Sequence, residues 1–419
     1  MKQRINRVIT HPFVSGSAIV FIGSNAANLF HFLFNFFMVR NLTPASFGDI
    51  SALISLIALS TTPASATVPM IINFAARFYA KNEMAHIRGL FFKLSKVLYS
   101  IGIGIFICFI IFSSWIGAFF NIHSPVLLYI TGFIVFIGYI STTHSGLLQA
   151  KLAFTFISVT NLIGSVIKVF LGIFLVFLGF GAIGAMIAYA LTSAISYFIS
   201  FIQLPFIFDK KIKSEPMSFM KLLSYGGPAA IAMYTLTSFV TTDILLVKHF
   251  FNPQQAGIYA VISLAGKVIF FFTAPIATVL FPLVAQKHEK KENYTNILFL
   301  AILFILIPSL GLTACYYIFP EFILLLFNQQ KYSNVMTPYL GFFGVFMTLY
   351  SLIFVLTNFF LSIGKTKIYI PLVIGALLQV GLLWIFHDSF FQIISISIAI
   401  IALLLVWFLL YYWKLHGEK

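Results

Sequence analysis

Long apolar runs separated by short polar turns dominate the chain. A helix needs about 20 mostly apolar residues to cross a bilayer, and scanning at that length predicts twelve crossings. The first six cover 17–39, 46–70, 95–119, 125–149, 154–178 and 180–204. The second six cover 222–247, 255–283, 295–319, 338–362, 368–387 and 390–412. Three of them carry a polar stripe. In SNAANLFHFLFN, Ser24, Asn28, His31 and Asn35 fall within roughly 60° of one another at about 100° per residue. Ser158, Asn161, Ser165 and Lys168 share a face of the fifth crossing in the same way, and Tyr259, Ser263 and Lys267 recur every fourth residue in the eighth. A membrane helix tolerates such a stripe where it faces protein or water instead of lipid.

Composition agrees with the pattern. Of the 419 residues 61% are hydrophobic and 8% charged, whereas soluble domains carry roughly 25% charged residues. The chain is therefore read as an all-α integral membrane protein whose surroundings are the lipid bilayer. Cys108 and Cys315 lie in apolar segments and offer neither a disulfide framework nor a metal-ligand spacing. The basic N-terminus leads into an apolar run without a short cleavable core, so an uncleaved first helix is expected.

Charge gives the direction. One set of loops holds Lys2, Arg4 and Arg7, then Arg77, Lys81, Arg88, Lys93 and Lys96, then Lys151, and Lys210, Lys211, Lys213 and Lys221. Lys287, Lys290, Lys291, Lys365, Lys367, Lys414 and Lys419 complete it, while the opposite loops hold only Arg40, Lys248 and Lys331. Cytoplasmic loops are the ones enriched in Lys and Arg, so both termini are expected in the cytoplasm. The net charge of +15 follows from this asymmetry, and no nucleic-acid partner is needed to account for it.

Two stretches repeat. In MVRNLTPASFGDISALISL and LVKHFFNPQQAGIYAVISL, Pro44 matches Pro253 and Gly48 matches Gly257 at one offset, half the chain. Pro63 and Pro275 then begin similar P-x-A-T-V-like segments, and each is followed by a basic cluster. Six crossings per half mean that both halves enter from the same side, as parallel repeats about an axis along the membrane normal. This sets an N-lobe at 1–207, a cytoplasmic linker at 208–221 and a C-lobe at 222–419, with a substrate site near the midplane.

The turn Leu42-Thr43-Pro44-Ala45-Ser46-Phe47-Gly48 resembles that of polysaccharide flippases. Asp243 ahead of Ala256-Gly257-Ile258-Tyr259, Val279-Leu280-Phe281-Pro282, and Leu361-Ser362-Ile363-Gly364-Lys365 are similar to that family's second-half signature and short basic loop. Their order and spacing resemble Wzx-type O-antigen and capsule-unit flippases of the multidrug/oligosaccharidyl-lipid/polysaccharide (MOP) exporter superfamily. The resemblance implies a MATE-like fold of two six-helix lobes arranged as a V. It also implies a plasma-membrane protein that moves a polyprenyl-diphosphate-linked glycan outward, working alongside other polysaccharide assembly proteins. Family members often place Arg or Lys on the first two helices. This chain has only His31 there.

Lys168, Asp243 and Lys267 are the charged residues read as lying within the crossings. Each costs roughly 2.5–3.5 kcal/mol at the bilayer centre on insertion scales, which implies a use or an escape to the interface. Asn28, His31, Asn35, Asn161, Lys168 and Lys267 are the expected substrate-binding set, with amides for sugar hydroxyls and cations for a diphosphate. Asp243 is expected to gate or couple transport. The plainer readings are snorkelling lysines, helix–helix hydrogen bonds from the asparagines, and a structural Asp243 paired with Lys248. No catalytic, metal or cofactor site is expected. Gly364-Lys365-Thr366 lacks the glycine of a phosphate loop, because Phe359 stands at that position. A multidrug exporter and a membrane glycan polymerase or ligase are the alternatives. The first requires carboxylates in its cavity, the second reactive groups at the outer face.

Overall fold

A computed structural model of the chain describes residues 12–209 and 219–417, and for 12–22, 24, 219–226, 278, 416 and 417 the backbone alone. Lys2, Arg4, Arg7, Lys419 and most of the 208–221 linker lie outside the described residues. Among those described, the regular structure is entirely helical. The helices are α1 (Pro12–Asn41), α2 (Pro44–Ser65), α3 (Val68–Ala80), α4 (Met84–Ile111), α5 (Ser113–Phe119), α6 (Pro125–Ala150), α7 (Phe154–Leu175) and α8 (Gly181–Ser200). Then follow α9 (Phe219–Phe239), α10 (Thr242–Phe250), α11 (Pro253–Glu289), α12 (Thr295–Ile318), α13 (Pro320–Leu326), α14 (Ser333–Ser362), α15 (Tyr369–Ile385) and α16 (Phe390–Gly417).

Nine runs among the described residues are long and apolar enough to cross a membrane, ten when α9 and α10, bent by 42°, count as one. The run Phe154–Gln203 extends over 50 residues but doubles back. Gly179 and Gly181 take φ of +90° and +52°, a region open to glycine and strained for other residues. A Cβ on Gly164 of α7 would stand 3.0 Å from the Ser196 hydroxyl of α8. Counting this hairpin as two and adding α1 gives the twelve crossings.

The chain divides into two compact units, one of residues 1–37 and 56–230, the other of 38–55 and 231–419. Packing thus departs from a simple halving, because Met38–Ser55 belongs with the second-half helices. In the first unit α3 is amphipathic. Met70, Ile71 and Ala75 pack against Leu90, Leu94 and Leu147, while Arg77 closes the helix with a basic last turn. Glycines let α4 and α6 approach closely, with Gly132 against Phe109 and Gly102 against Tyr139.

In the second unit the repeated turns show why their residues match. Thr43 caps α2 by accepting the Ser46 N–H at 3.2 Å, and Asn252 caps α11 by accepting the Gln255 N–H at 2.9 Å. Proline follows each cap, where its missing N–H and fixed φ suit a first helical position. The equivalent glycines then meet. A Cβ on Gly48 would lie 2.9 Å from the Gly257 nitrogen, and one on Gly257 would overlap the Pro44 carbonyl. Beside this crossing Lys248 Nζ lies 2.6 Å from Asp49 Oδ1, with only 1% of the lysine side chain exposed. Arg40 donates to the Leu326 carbonyl at 2.8 Å, and Gln329 to that of Val39 at 3.1 Å.

Two sequence expectations are corrected here. Lys248 is no outer-loop cation and no partner of Asp243: it lies within α10 and pairs with Asp49. Asp49 itself belongs to the charged residues inside the crossings, in the first turns of α2.

Candidate functional site

The first unit holds an open cavity of about 500 Å³. Five helices wall it. α1 contributes Asn28 and His31, α2 Thr61 and Ser65, α6 Ser141 and Thr142, α7 Asn161, Ser165 and Lys168, and α8 Tyr189, Thr192, Ser193 and Ser196. The polar stripes of the first and fifth crossings therefore share one space. Asn28, His31, Asn161 and Lys168 are brought together, and Ser165 joins them. Asn35 is not among the lining residues: its Nδ2 donates to the His31 carbonyl at 2.9 Å. The side chain of Ser24 lies outside those described.

Lys168 is 5% exposed. Its Nζ stands 2.6 Å from His31 Nδ1 and over the rings of Phe34 at 4.8 Å and Tyr189 at 4.9 Å. An ammonium only donates. With Lys168 protonated, His31 Nδ1 accepts in this contact and the neutral ring carries its proton on Nε2. The ring faces offset part of the ammonium's lost hydration. In that state the pair presents one positive charge and a second N–H donor.

The hydroxyls have the complementary character. Thr61, Thr142, Thr192 and Ser193 each donate to the carbonyl four residues back, at 2.7–2.9 Å. Ser165 donates to the Leu162 carbonyl at 2.8 Å. With their protons committed, these oxygens are left as acceptors on residues that line the cavity. Among the described residues no carboxylate lines it. The arrangement suits a ligand with an anionic group and several hydroxyl donors. The hydroxyls of α6 and α8 had a sequence signal in Ser141-Thr142-Thr143-His144 and Thr192–Ser196, polar clusters inside apolar crossings.

The remaining expected residues lie in the second unit. Asp243 is 1% exposed, and its Oδ2 accepts the Tyr259 hydroxyl at 2.9 Å. Lys267 is half-buried, and it is the opposite charge that acts on Asp243. Asp243 of α10 and Tyr259 of α11 are thus joined by a buried hydrogen bond.

The fold and the lined cavity define a multi-pass membrane protein with the architecture of MOP-superfamily transporters. An inward-facing multidrug resistance MATE family transporter of that superfamily superposes with a TM-score of 0.76 at 16% identity, covering 94% of this chain and 96% of its own. The MATE multidrug transporter DinF-BH gives 0.70 at 15% identity, covering 97% and 96%. A MOP-superfamily transporter from Pyrococcus furiosus, described as having a binding pocket of reverse polarity that suggests a different function, gives 0.61 at 17%, covering 96% and 95%. The chain belongs to the polysaccharide biosynthesis protein family, whose sequence profile matches residues 37–337. Against curated protein sequences it finds no significant match.

Proposed function

We propose that the protein is a flippase that carries an undecaprenyl-diphosphate-linked oligosaccharide, an O-antigen or capsule repeat unit, from the cytoplasmic to the outer leaflet by alternating access. The observation that carries this reading is the acid-free cavity with one buried cation, Lys168, braced on His31. The diphosphate meets Lys168 and the His31 N–H through charge-assisted hydrogen bonds. Asn28, Asn161 and the acceptor hydroxyls take the sugars, and the lipid tail stays in the bilayer. Lys267 is the second substrate-binding cation, and Asp243, held by Tyr259, couples the cycle. Membership of a polysaccharide biosynthesis family supports a glycan cargo. The protein resides in the plasma membrane with both termini cytoplasmic.

The second reading is a multidrug exporter, favoured by the names of the structural neighbours. Their identity to this chain is low and speaks to fold. A cationic drug also requires a carboxylate in its cavity, whereas the lining charge found here is positive. The test is deletion of the gene, followed by assay of the leaflet on which lipid-linked units accumulate. Inner-leaflet accumulation, corrected by the wild type and not by Lys168→Ala with Lys267→Ala, is the expected result. Correction by the double variant, or raised drug sensitivity without accumulation, rejects the proposal.

A further inference from the structure

A second, smaller chamber of about 150 Å³ lies toward the N-terminal end of α7 and shares Ser141, Asn161 and Ser196 with the Lys168 cavity. His144 forms part of its wall. The imidazole is 2% exposed, stacked on Tyr197 at 4.7 Å and met edge-on by Phe201 at 4.4 Å. Its Nδ1 lies 2.5 Å from Ser200 Oγ. Ser200 has one hydroxyl proton, and the same oxygen donates it to the Tyr197 carbonyl at 2.5 Å. A carbonyl only accepts, so that proton is committed and His144 Nδ1–H must donate to Ser200. The tautomer is thereby fixed, and Nε2 is left as an acceptor.

The other polar groups of this chamber are the hydroxyls of Ser145 and Thr160, with Tyr197 alongside and the three shared residues. Among the described residues no carboxylate, lysine or arginine lines it. Its volume is well below the roughly 300–1,000 Å³ of sites for drug-sized ligands, so it suits a single ring. A cation marks one chamber, and neutral acceptors beside an aromatic ring mark the next.

We propose that this chamber is a subsite for one neutral sugar ring, the ring attached next to the diphosphate, and that His144 Nε2 accepts one of its hydroxyls. This rests on the flippase reading above and adds to it a direction of the head group along α7 and a residue that reads sugar stereochemistry. His144 is then a specificity-determining residue, while Lys168 holds charge whatever sugar follows.

The test measures binding to the purified full chain in detergent. The probes are polyprenol, polyprenyl diphosphate, and polyprenyl diphosphates carrying a single hexose or N-acetylhexosamine. At least one sugar-bearing lipid is expected to bind about tenfold more tightly than the bare diphosphate, the scale of one well-made buried hydrogen bond. His144→Phe, which keeps a ring in the stack and removes the acceptor, should erase that gain and leave bare-diphosphate affinity unchanged. Lys168→Ala should weaken both. Thr160→Val, nearly isosteric at the chamber wall, supplies the same readout with a smaller loss should His144→Phe not fold. The inference is overturned if no sugar adds affinity, or if both variants weaken sugar-bearing and bare diphosphate equally or weaken neither. A bare diphosphate that binds no better than polyprenol brings down the flippase reading, and this inference with it.

Discussion

Lys168 and Lys248 are both buried ammonium groups, and their surroundings give them opposite meanings. Lys248 faces Asp49 at 2.6 Å, a complete ion pair within the second unit. Removing one partner of a buried pair strands the other and costs about 3–5 kcal/mol. With the Asp49 side chain 23% exposed, Asp49→Asn should fall near the lower end, read as a drop in thermal unfolding temperature. The reversed pair, Asp49→Lys with Lys248→Asp, should recover part of the loss. Among the described residues no carboxylate lines the cavity around Lys168; the lysine leans on an imidazole and two ring faces. Its charge is a burden on folding unless a ligand uses it. Lys168→Met, similar in length and uncharged, should therefore unfold at the same or a higher temperature while losing transport. A variant that is destabilised yet still transports would make Lys168 a structural residue.

At the scale of elements, the matched turns at the starts of α2 and α11 illustrate what a sequence reveals and what it hides. The cap, the proline and the glycine recur with one spacing because each helix must start cleanly and then pass another backbone closely, so the repeat was legible. That the two glycines pass each other was not, since nothing local names the partner. Lys248 had the same difficulty: its charge suggested an outer loop, and only the packing of 38–55 supplies Asp49. Within the site, the stripe Asn161–Ser165–Lys168 could be read because a lysine and an amide stand out in an apolar helix. The hydroxyls of α6 and α8 left a weaker signal, clusters inside apolar crossings, since serine and threonine hide equally well by bonding their own helix. Asn35 does the same through the His31 carbonyl. The crossing also yields a contrast. Gly257→Ala places a methyl group against the Pro44 carbonyl, where only backbone could yield, and should cost at least about 1–3 kcal/mol in thermal stability. Gly311, in α12 with open space around its added Cβ, should accept alanine with a gain of about 0.5–1 kcal/mol. Equal effects at the two sites would mean that the crossing is not tight in the folded protein.

For the whole molecule, orientation in the bilayer rests on charge, and the structure sharpens that argument. Of the three cations in the loops read as outer, Arg40 donates to the Leu326 carbonyl and Lys248 is neutralised by Asp49. Lys331 is left on the short turn Gln330–Tyr332, over the Tyr332 ring. The opposite ends keep basic clusters, exposed Lys93 and Lys96 on α4, and half-buried Lys287 with exposed Lys290 and Lys291 at the end of α11. Holding a lysine or arginine cluster on the cytoplasmic side is what sets the direction of insertion, and twelve crossings return the C-terminus to the side of the N-terminus. A fluorescent protein that matures only in the cytoplasm should therefore glow when fused after Lys419. A phosphatase active only outside should stay silent there and become active when placed in the turn between Phe120 and Ser124, between α5 and α6. The converse pattern would invert the molecule. The chamber at the N-terminal end of α7 would then open toward the outer leaflet, and a cargo assembled in the cytoplasm could not reach its sugar subsite before its charge site.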